Sequence, residues 1–66
     1  MNSEFFKVGT KVQLYPGDSQ QKYGTIKEIN EYGFVIEITY STSSDYLKGD
    51  IVFFSHSKPL IMVAAK

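Results

Sequence analysis

His56 is the single histidine of this 66-residue chain, and it stands between Ser55 and Ser57. A histidine beside a serine could activate the hydroxyl for nucleophilic catalysis, but that chemistry also requires an orienting carboxylate and an oxyanion site. Adjacent residues seldom hold their side chains in the geometry that such catalysis needs. We therefore interpret His56 as a turn residue that hydrogen-bonds to the backbone, and we predict no catalytic residues.

Metal and cofactor chemistry has no residue pattern to support it. One histidine, no cysteine and scattered carboxylates match none of the usual metal-ligand spacings. The glycines stand singly, and none precedes a helix whose N-terminus could hold a phosphate. Glu28 and Glu37 are expected on neighbouring strands, as solvated acids opposite Lys27 or Lys11 rather than as an acid–base pair. The sequence thus predicts a protein that is not an enzyme, with no metal and no cofactor.

A binding surface is the chemistry that remains. Lysines and tyrosines recur on the first two predicted strands and the loop that joins them: Lys11, Tyr15, Lys22, Tyr23 and Lys27. Tyrosine rings can stack on unpaired bases while lysines contact phosphates. The same residues could hold a peptide, since tyrosine combines a large contact area with a polar tip. In a third interpretation, Tyr15 and Tyr23 bind no partner and only cover the base of their own loop.

The charge balance limits the kinds of nucleic acid that the chain could read. Seven lysines balance seven acidic residues, and there is no arginine. Proteins that bind nucleic acid usually carry a basic excess, because neutralising phosphates supplies most of their non-specific affinity. Arginine is also the side chain best suited to reading guanine through two hydrogen bonds. The composition therefore argues against sequence-specific recognition of a duplex.

Length and composition predict a single small domain over residues 1–66. The apolar content of 42% is ordinary for a globular protein, and without cysteine there is no disulfide framework that would indicate an oxidising compartment. The longest apolar stretches, 51–54 and 60–65, are far shorter than a membrane span, and the N-terminus lacks the apolar region of a signal peptide. We expect a soluble, cytoplasmic protein with no membrane association.

Five segments carry the apolar alternation or the apolar runs that are typical of strands: 11–15, 23–29, 34–40, 51–54 and 60–63. In the first, Val12 and Leu14 share one face, so that Lys11, Gln13 and Tyr15 are expected to point outward. In the third, the even-numbered residues from Phe34 to Tyr40 share a face. The fourth is apolar on both faces, which predicts a strand that is covered on both sides.

Glycines, prolines and short polar runs predict the connections between these strands. Gly24 inside the second strand predicts a bulge or a close backbone approach, and the broken alternation over 26–29 also indicates a bulge. Residues 30–33 predict a hairpin turn, with Asn30 starting it and Gly33 at positive φ. We also expect a helical turn over 3–7, which brings Phe5 and Phe6 over one open end of a barrel, and a 3₁₀ turn within 55–59.

Five strands at this spacing, with one short turn before the last, predict an all-β, five-stranded SH3-like barrel. The run from Val8 to Ile38 also resembles the KOW-type version of that barrel. The matching positions are Gly9, Val12, Leu14, Gly24, Ile26 and the strand that begins at Phe34. The resemblance implies a role with RNA or transcription factors. The chain departs from the family around Gly24, where residues 20–23 replace the usual basic residues.

The function predicted from these observations is that of a non-catalytic binding module. The leading hypothesis is an accessory factor that associates with single-stranded or irregular nucleic acid, or with a protein of a nucleic-acid-handling complex. The alternative is a protein–protein adaptor or inhibitor that uses the tyrosine-rich loop face or an exposed strand edge, such as the apolar segment 60–63. A self-associating structural subunit is a third hypothesis, and we expect a monomer or a weak dimer.

Overall fold

Five antiparallel strands form the part of the chain that the structure, a computed structural model, describes, which is residues 6–63. The strands are β1 (Lys11–Leu14), β2 (Lys22–Asn30), β3 (Gly33–Ser41), β4 (Ile51–Ser55) and β5 (Leu60–Met62). All five predicted strands are confirmed, with ends within one residue of the predicted ones. Residues 6–63 contain no helix, and thus none whose length and hydropathy would let it cross a membrane.

The strands form one sheet in the order β4-β3-β2-β1-β5. The chain runs as a meander from β1 to β4, and the last strand then returns to pair with β1, with Val12 opposite Met62 and Leu14 opposite Leu60. Within residues 6–63, no ladder joins β4 to β5, so the sheet is open between these two edge strands. The all-β class and the five antiparallel strands are therefore confirmed.

Two bulges bend the β2–β3 pair, one in each strand. The register shifts between Tyr23 and Gly24, where Thr39 of β3 is the extra residue, and again between Ile26 and Glu28, where Lys27 of β2 is the extra residue. Both irregularities were predicted from the glycine and from the broken alternation. A bulge increases the local twist and bends its strand, so these two positions curl the sheet around its inner face.

The inner face of the curled sheet holds the hydrophobic core. Its buried side chains come from four strands: Val12, Leu14, Ile26, Phe34, Ile36, Ile38 and Phe54. Phe6 packs against this core, with its ring centroid 5.4 Å from that of Phe34. Phe5 and most of the predicted helical turn over 3–7 lie outside the described residues, and Phe6 and Lys7 are not helical. Tyr40 departs from the predicted face of β3 and is 51% exposed, because the extra residue Thr39 breaks the alternation after Ile38.

Gly24 and Gly33 lie where neighbouring strands leave no room for a side chain. A Cβ atom at Gly24 would be 2.5 Å from Ile36 Cγ2 and 2.6 Å from the Glu37 carbonyl oxygen, as a close backbone approach requires. Gly33 was predicted at positive φ, and this is wrong. Instead, a Cβ atom there would overlap the Phe54 carbonyl oxygen. The turn itself is shaped by Asn30, whose Oδ1 accepts hydrogen bonds from Tyr32 N at 2.8 Å and Gly33 N at 3.1 Å.

Two other expectations need correction. The prediction that β4 is covered on both sides is wrong, because the outer face of the sheet is open: Phe54 is buried, whereas Ile51 is 61% and Phe53 51% exposed. The 3₁₀ turn expected within 55–59 is a simple hydrogen-bonded turn, in which Lys58 N donates to the Ser55 carbonyl at 3.0 Å.

We predict that Gly24→Val destabilises the fold by about 1–3 kcal/mol, because two added methyl groups and a Cβ must displace Ile36 or the β3 backbone. Thr25→Val is the matched control, since it places the same side chain on the neighbouring, half-buried residue. Its change in the free energy of unfolding should stay within about 0.5 kcal/mol. Denaturant unfolding of both variants provides the measurement, and an unaltered midpoint for Gly24→Val would contradict the close approach.

Candidate binding cleft

Two loops at one end of the sheet lie against each other and form the walls of a cleft. The β1–β2 loop spans residues 15–21, and the β3–β4 loop spans residues 42–50. They are joined by a reciprocal pair of hydrogen bonds, in which Gln21 N donates to Thr42 Oγ1 and Thr42 N donates to the Gln21 carbonyl, both at 2.9 Å. This pairing fixes the distance between the two walls.

Tyr15 turns into this cleft because the backbone reverses at the end of β1. Its φ is 51°, a left-handed backbone conformation that residues other than glycine seldom adopt. The ring consequently packs edge-on against the core residue Phe54, with centroids 5.2 Å apart. The prediction that Tyr15 points outward with Lys11 and Gln13 is therefore wrong, since the alternation of β1 ends at Leu14.

Lys22 forms the floor of the cleft. Although it is a lysine, it lies on the inner face of β2 and is only 3% exposed. Its Nζ donates to Asp18 Oδ2 at 2.6 Å and to the Gln20 carbonyl at 3.0 Å. The same Nζ lies 5.6 Å from the ring centroid of Tyr15 and 6.0 Å from that of Tyr46. Lys22 is thus an internal cation with four protein neighbours, rather than part of an exposed basic face.

Asp18 is the counterion of this lysine. The hydrogen bond and the charge of Lys22 lower the pKa of the Asp18 carboxyl below its usual value of 3.8, against the opposing effect of partial burial. Asp18 Oδ1 also accepts a hydrogen bond from Ser19 N at 2.8 Å, so that both carboxylate oxygens are used. The ion pair consequently determines the shape of the β1–β2 loop.

The opposite wall comes from the serine-rich segment of the β3–β4 loop. Ser43 is buried, and its Oγ accepts a hydrogen bond from Asp45 N at 3.1 Å. Tyr46 follows and packs against the core. Burial, the neighbouring Tyr15 hydroxyl and the charge of Asp45 together raise the pKa of Tyr46 above its usual value of 10.0. Tyr46 is therefore a half-buried part of this wall.

The resulting cleft has a volume of about 330 Å³. Its lining is polar and aromatic: Tyr15, Asp18, Ser19, Gln20, Lys22, Ser43, Asp45 and Tyr46. Among the titratable side chains of this lining are two carboxylates and one ammonium group. Sequence reasoning had selected Tyr15 and Lys22 but missed Asp18, Asp45 and Tyr46. The Ser–Ser–Asp–Tyr run over 43–46 was the available signal, because serine and aspartate side chains commonly order loops through hydrogen bonds to nearby backbone.

The other three predicted binding residues lie on the outer face of the sheet. Cross-strand pairing places Lys11 opposite Thr25, and Gln13 opposite Tyr23. The ring of Tyr23 lies 5.9 Å from that of the exposed Tyr40. Lys27 Nζ is 3.5 Å from Glu37 Oε1, which confirms the expected pairing of a solvated acid with a lysine. The five predicted residues are therefore divided between two separate surfaces.

The two edge strands also carry exposed apolar side chains. Ile51 and Phe53 lie on β4, and Ile61 and Met62 lie on β5. Of the predicted edge segment 60–63, Leu60 is half-buried against the core. The edges of β4 and β5 are therefore a further surface to which a partner could bind.

His56 makes a backbone hydrogen bond, as predicted. Its Nε2 lies 2.9 Å from the Asn30 carbonyl oxygen, and its ring is perpendicular to that of Phe34 at a centroid distance of 4.7 Å. The hydroxyls of Ser55 and Ser57 hydrogen-bond to each other at 3.0 Å. Over residues 6–63, the structure brings together no group of three or more His, Asp or Glu side chains that could hold a metal ion.

Comparison of the chain with protein-family models, curated proteins and solved structures found no match. The resemblance to KOW-type domains therefore stays a prediction from residues 8–38.

We predict that Asp18→Asn destabilises the protein at neutral pH and that this loss shrinks in acid. A carboxyl whose pKa is lowered by folding stabilises the native state fully above its unfolded value, near 3.8. That contribution is lost as the pH falls through the lowered folded pKa. Denaturant midpoints of the wild type and the variant, measured from pH 7 to about pH 2, should therefore converge at the acid end.

Glu31→Gln provides the control, because it removes one carboxylate from the exposed hairpin tip. It should leave the acid limb of the stability curve with the wild-type shape. If Asp18→Asn and Glu31→Gln gave parallel curves, the coupling of Asp18 to Lys22 would be refuted.

Proposed function

We propose that this chain is a non-catalytic protein-binding module with an SH3-like barrel fold, which holds an extended segment of a partner protein in the cleft between its two loops. The strand order supports the barrel, since the last strand pairs with the first and the β2–β3 pair is bent by one bulge in each strand. This arrangement curls a five-stranded sheet around one core.

The observation that carries the proposal is the prebuilt character of the cleft. Its two walls are joined by the two hydrogen bonds between Gln21 and Thr42, and its floor is held in place by the Lys22–Asp18 ion pair. A site that is ordered before binding loses little conformational entropy when the ligand arrives. A volume of about 330 Å³ is at the lower end of ligand pockets, which suits a few residues of an extended peptide.

The charges of the cleft favour a protein over a nucleic acid as its occupant. Lys22 is already neutralised by Asp18, and Asp45 adds a negative charge to the lining. A phosphate entering this cleft would meet an uncompensated carboxylate and no free cation from the lining. Tyr15 and Tyr46 offer instead the amphipathic contact area that is enriched in protein interfaces.

We expect a pool of short, capped peptides of mixed sequence to shift the amide resonances of 15–22 and 42–46 in a saturable manner. Tyr46→Ala should weaken this binding at least tenfold, equivalent to about 1.4 kcal/mol, because it removes one aromatic wall. Ser19→Trp, at the exposed rim, should block the cleft without altering the core. Two-dimensional NMR titration measures the effect and verifies that each variant is folded.

Tyr32→Ala is the matched control, because this tyrosine lies at the hairpin tip and is 70% exposed. It should bind the pool as the wild type does. Absence of any shift in the two loops at millimolar peptide, or equal binding by Ser19→Trp, would refute the proposed site.

A second candidate function is supported by the outer face. There, Lys11 lies two residues from Gln13, the residue paired with Tyr23, and Tyr23 and Tyr40 present adjacent rings. This is a suitable arrangement for an accessory factor that stacks unpaired bases and contacts phosphates without reading sequence. It is the weaker candidate, because Glu37 forms an ion pair with Lys27 and so places a carboxylate on the outer face.

If this second function operates, a mixed single-stranded oligonucleotide at about 50 mM salt should shift residues of the outer face and leave the cleft unaltered. The slope of log affinity against log salt should be shallow, of order −2 to −4, because few lysines share the face. Lys11→Glu should weaken binding to all sequences alike. Tyr23→Ala should cost about 1–3 kcal/mol through lost stacking.

Lys58→Glu changes the charge equally but in the turn before β5, and it should reduce the affinity less than Lys11→Glu does. Silence of the outer face with both single-stranded and duplex oligonucleotides would exclude the second candidate and leave the first unaffected.

A further inference from the structure

The charges within the cleft do not cancel. Lys22 and Asp18 form a contact ion pair at 2.6 Å, which accounts for one positive and one negative charge. Asp45 makes no ion pair with any residue between 6 and 63, yet it lines the same cleft. The cleft consequently retains one uncompensated negative charge at its β3–β4 wall.

The position of Asp45 is determined by the loop that carries it. Its backbone N donates to Ser43 Oγ, and Ser41 Oγ in turn accepts a hydrogen bond from Ser43 N at 3.0 Å. The Asp45 charge acts on the neighbouring Tyr46 hydroxyl, where it contributes to the raised pKa of that tyrosine. The carboxylate and the tyrosine therefore belong to the same wall and act on the same volume.

The tyrosine rings of the cleft are already used to accommodate a cation. Tyr15 and Tyr46 both lie within about 6 Å of the Lys22 ammonium group. Aromatic faces attract cations through the negative potential above the ring, and the attraction grows when water is excluded. At the floor of the cleft, the carboxylate of Asp18 is already paired with Lys22. At its mouth, the exposed Asp45 carboxylate lies beside the tyrosine rings and has no such ion pair within residues 6–63.

Building on the proposed role of the cleft as a peptide site, we propose that its mouth takes one cationic side chain of the partner, with arginine preferred to lysine. The guanidinium group would pair with the Asp45 carboxylate while its plane lies against the exposed part of the Tyr46 ring. Arginine is preferred because its guanidinium is planar, donates as a fork to a carboxylate and is less strongly hydrated than an ammonium group.

Other charged ligands fit the same residues poorly. An anionic ligand would be repelled by Asp45 and would find Lys22 already paired with Asp18. A divalent cation needs several oxygen or nitrogen ligands. The described part of the chain offers no group of three His, Asp or Glu residues that could supply them. A single charge on a side chain matches the single uncompensated charge of the cleft.

The experiment compares two small probes, N-acetyl-arginine amide and N-acetyl-citrulline amide, which have nearly the same shape and differ in charge. We expect the arginine probe to shift the amides of 45 and 46 saturably, and the citrulline probe to bind at least threefold more weakly. Asp45→Asn should weaken the arginine probe by about threefold to tenfold and leave the citrulline probe unaffected. Added salt should reduce the difference between the probes.

Glu31→Gln is the control variant, since it removes an equal charge from the hairpin turn between β2 and β3. It should bind the arginine probe as the wild type does. Equal binding of the two probes, or an arginine affinity unaltered by Asp45→Asn, would overturn the inference.

The outcomes separate this inference from the function on which it rests. If peptides without arginine or lysine occupy the cleft as tightly as those that contain them, the peptide site stands and the cation preference is refuted. If the arginine probe binds through Asp45 while no peptide pool does, the cation site stands and the peptide-binding function is refuted.

Discussion

The inner face of β2 begins with Lys22, Gly24 and Ile26, and the middle residue has no side chain because β3 occupies its place. Ile36 Cγ2 and the Glu37 carbonyl lie where a Cβ atom would be. This close approach lets the β2–β3 pair bend at its two bulges and curl the sheet over a small set of apolar side chains. A short chain exposes much of its surface even when folded, so a flat sheet of this length would enclose almost no core.

The same curl determines the environment of Lys22. Its inward position follows from the alternation that buries Gly24 and Ile26, and burying an unpaired charge is strongly unfavourable. Asp18 and the Gln20 carbonyl satisfy the ammonium group, and they do so from the loop that precedes β2. The conformation of the β1–β2 loop is thus a consequence of a buried charge, and the cleft exists because that loop is held over the sheet end.

The distribution of charge over two faces connects this architecture to binding. On the outer face, Lys27 pairs with Glu37, which reduces the positive potential that a phosphate backbone would need. At the cleft, the lysine is neutralised and one carboxylate remains, so the potential there has the opposite sign. A chain with no net charge can in this way present two surfaces of different character, and the partner of each is selected by the local groups rather than by the total.

The sequence by itself determined the five strands, the irregular positions of β2 at Gly24 and over 26–29, the hairpin at Asn30 and the backbone-bonded histidine, because each depends on local alternation, on glycine or on a short polar side chain. The grouping of the binding residues was decided only by tertiary structure. Strand alternation predicted an outward Tyr15, but a left-handed residue at the end of β1 reversed it, and the curl of β2 buried Lys22. Asp45 and Tyr46 are far from Lys22 in the chain, and only the pairing of β2 with β3 brings their loop to that lysine. Strand register and loop closure are long-range properties, so no local pattern encodes the cleft that they form.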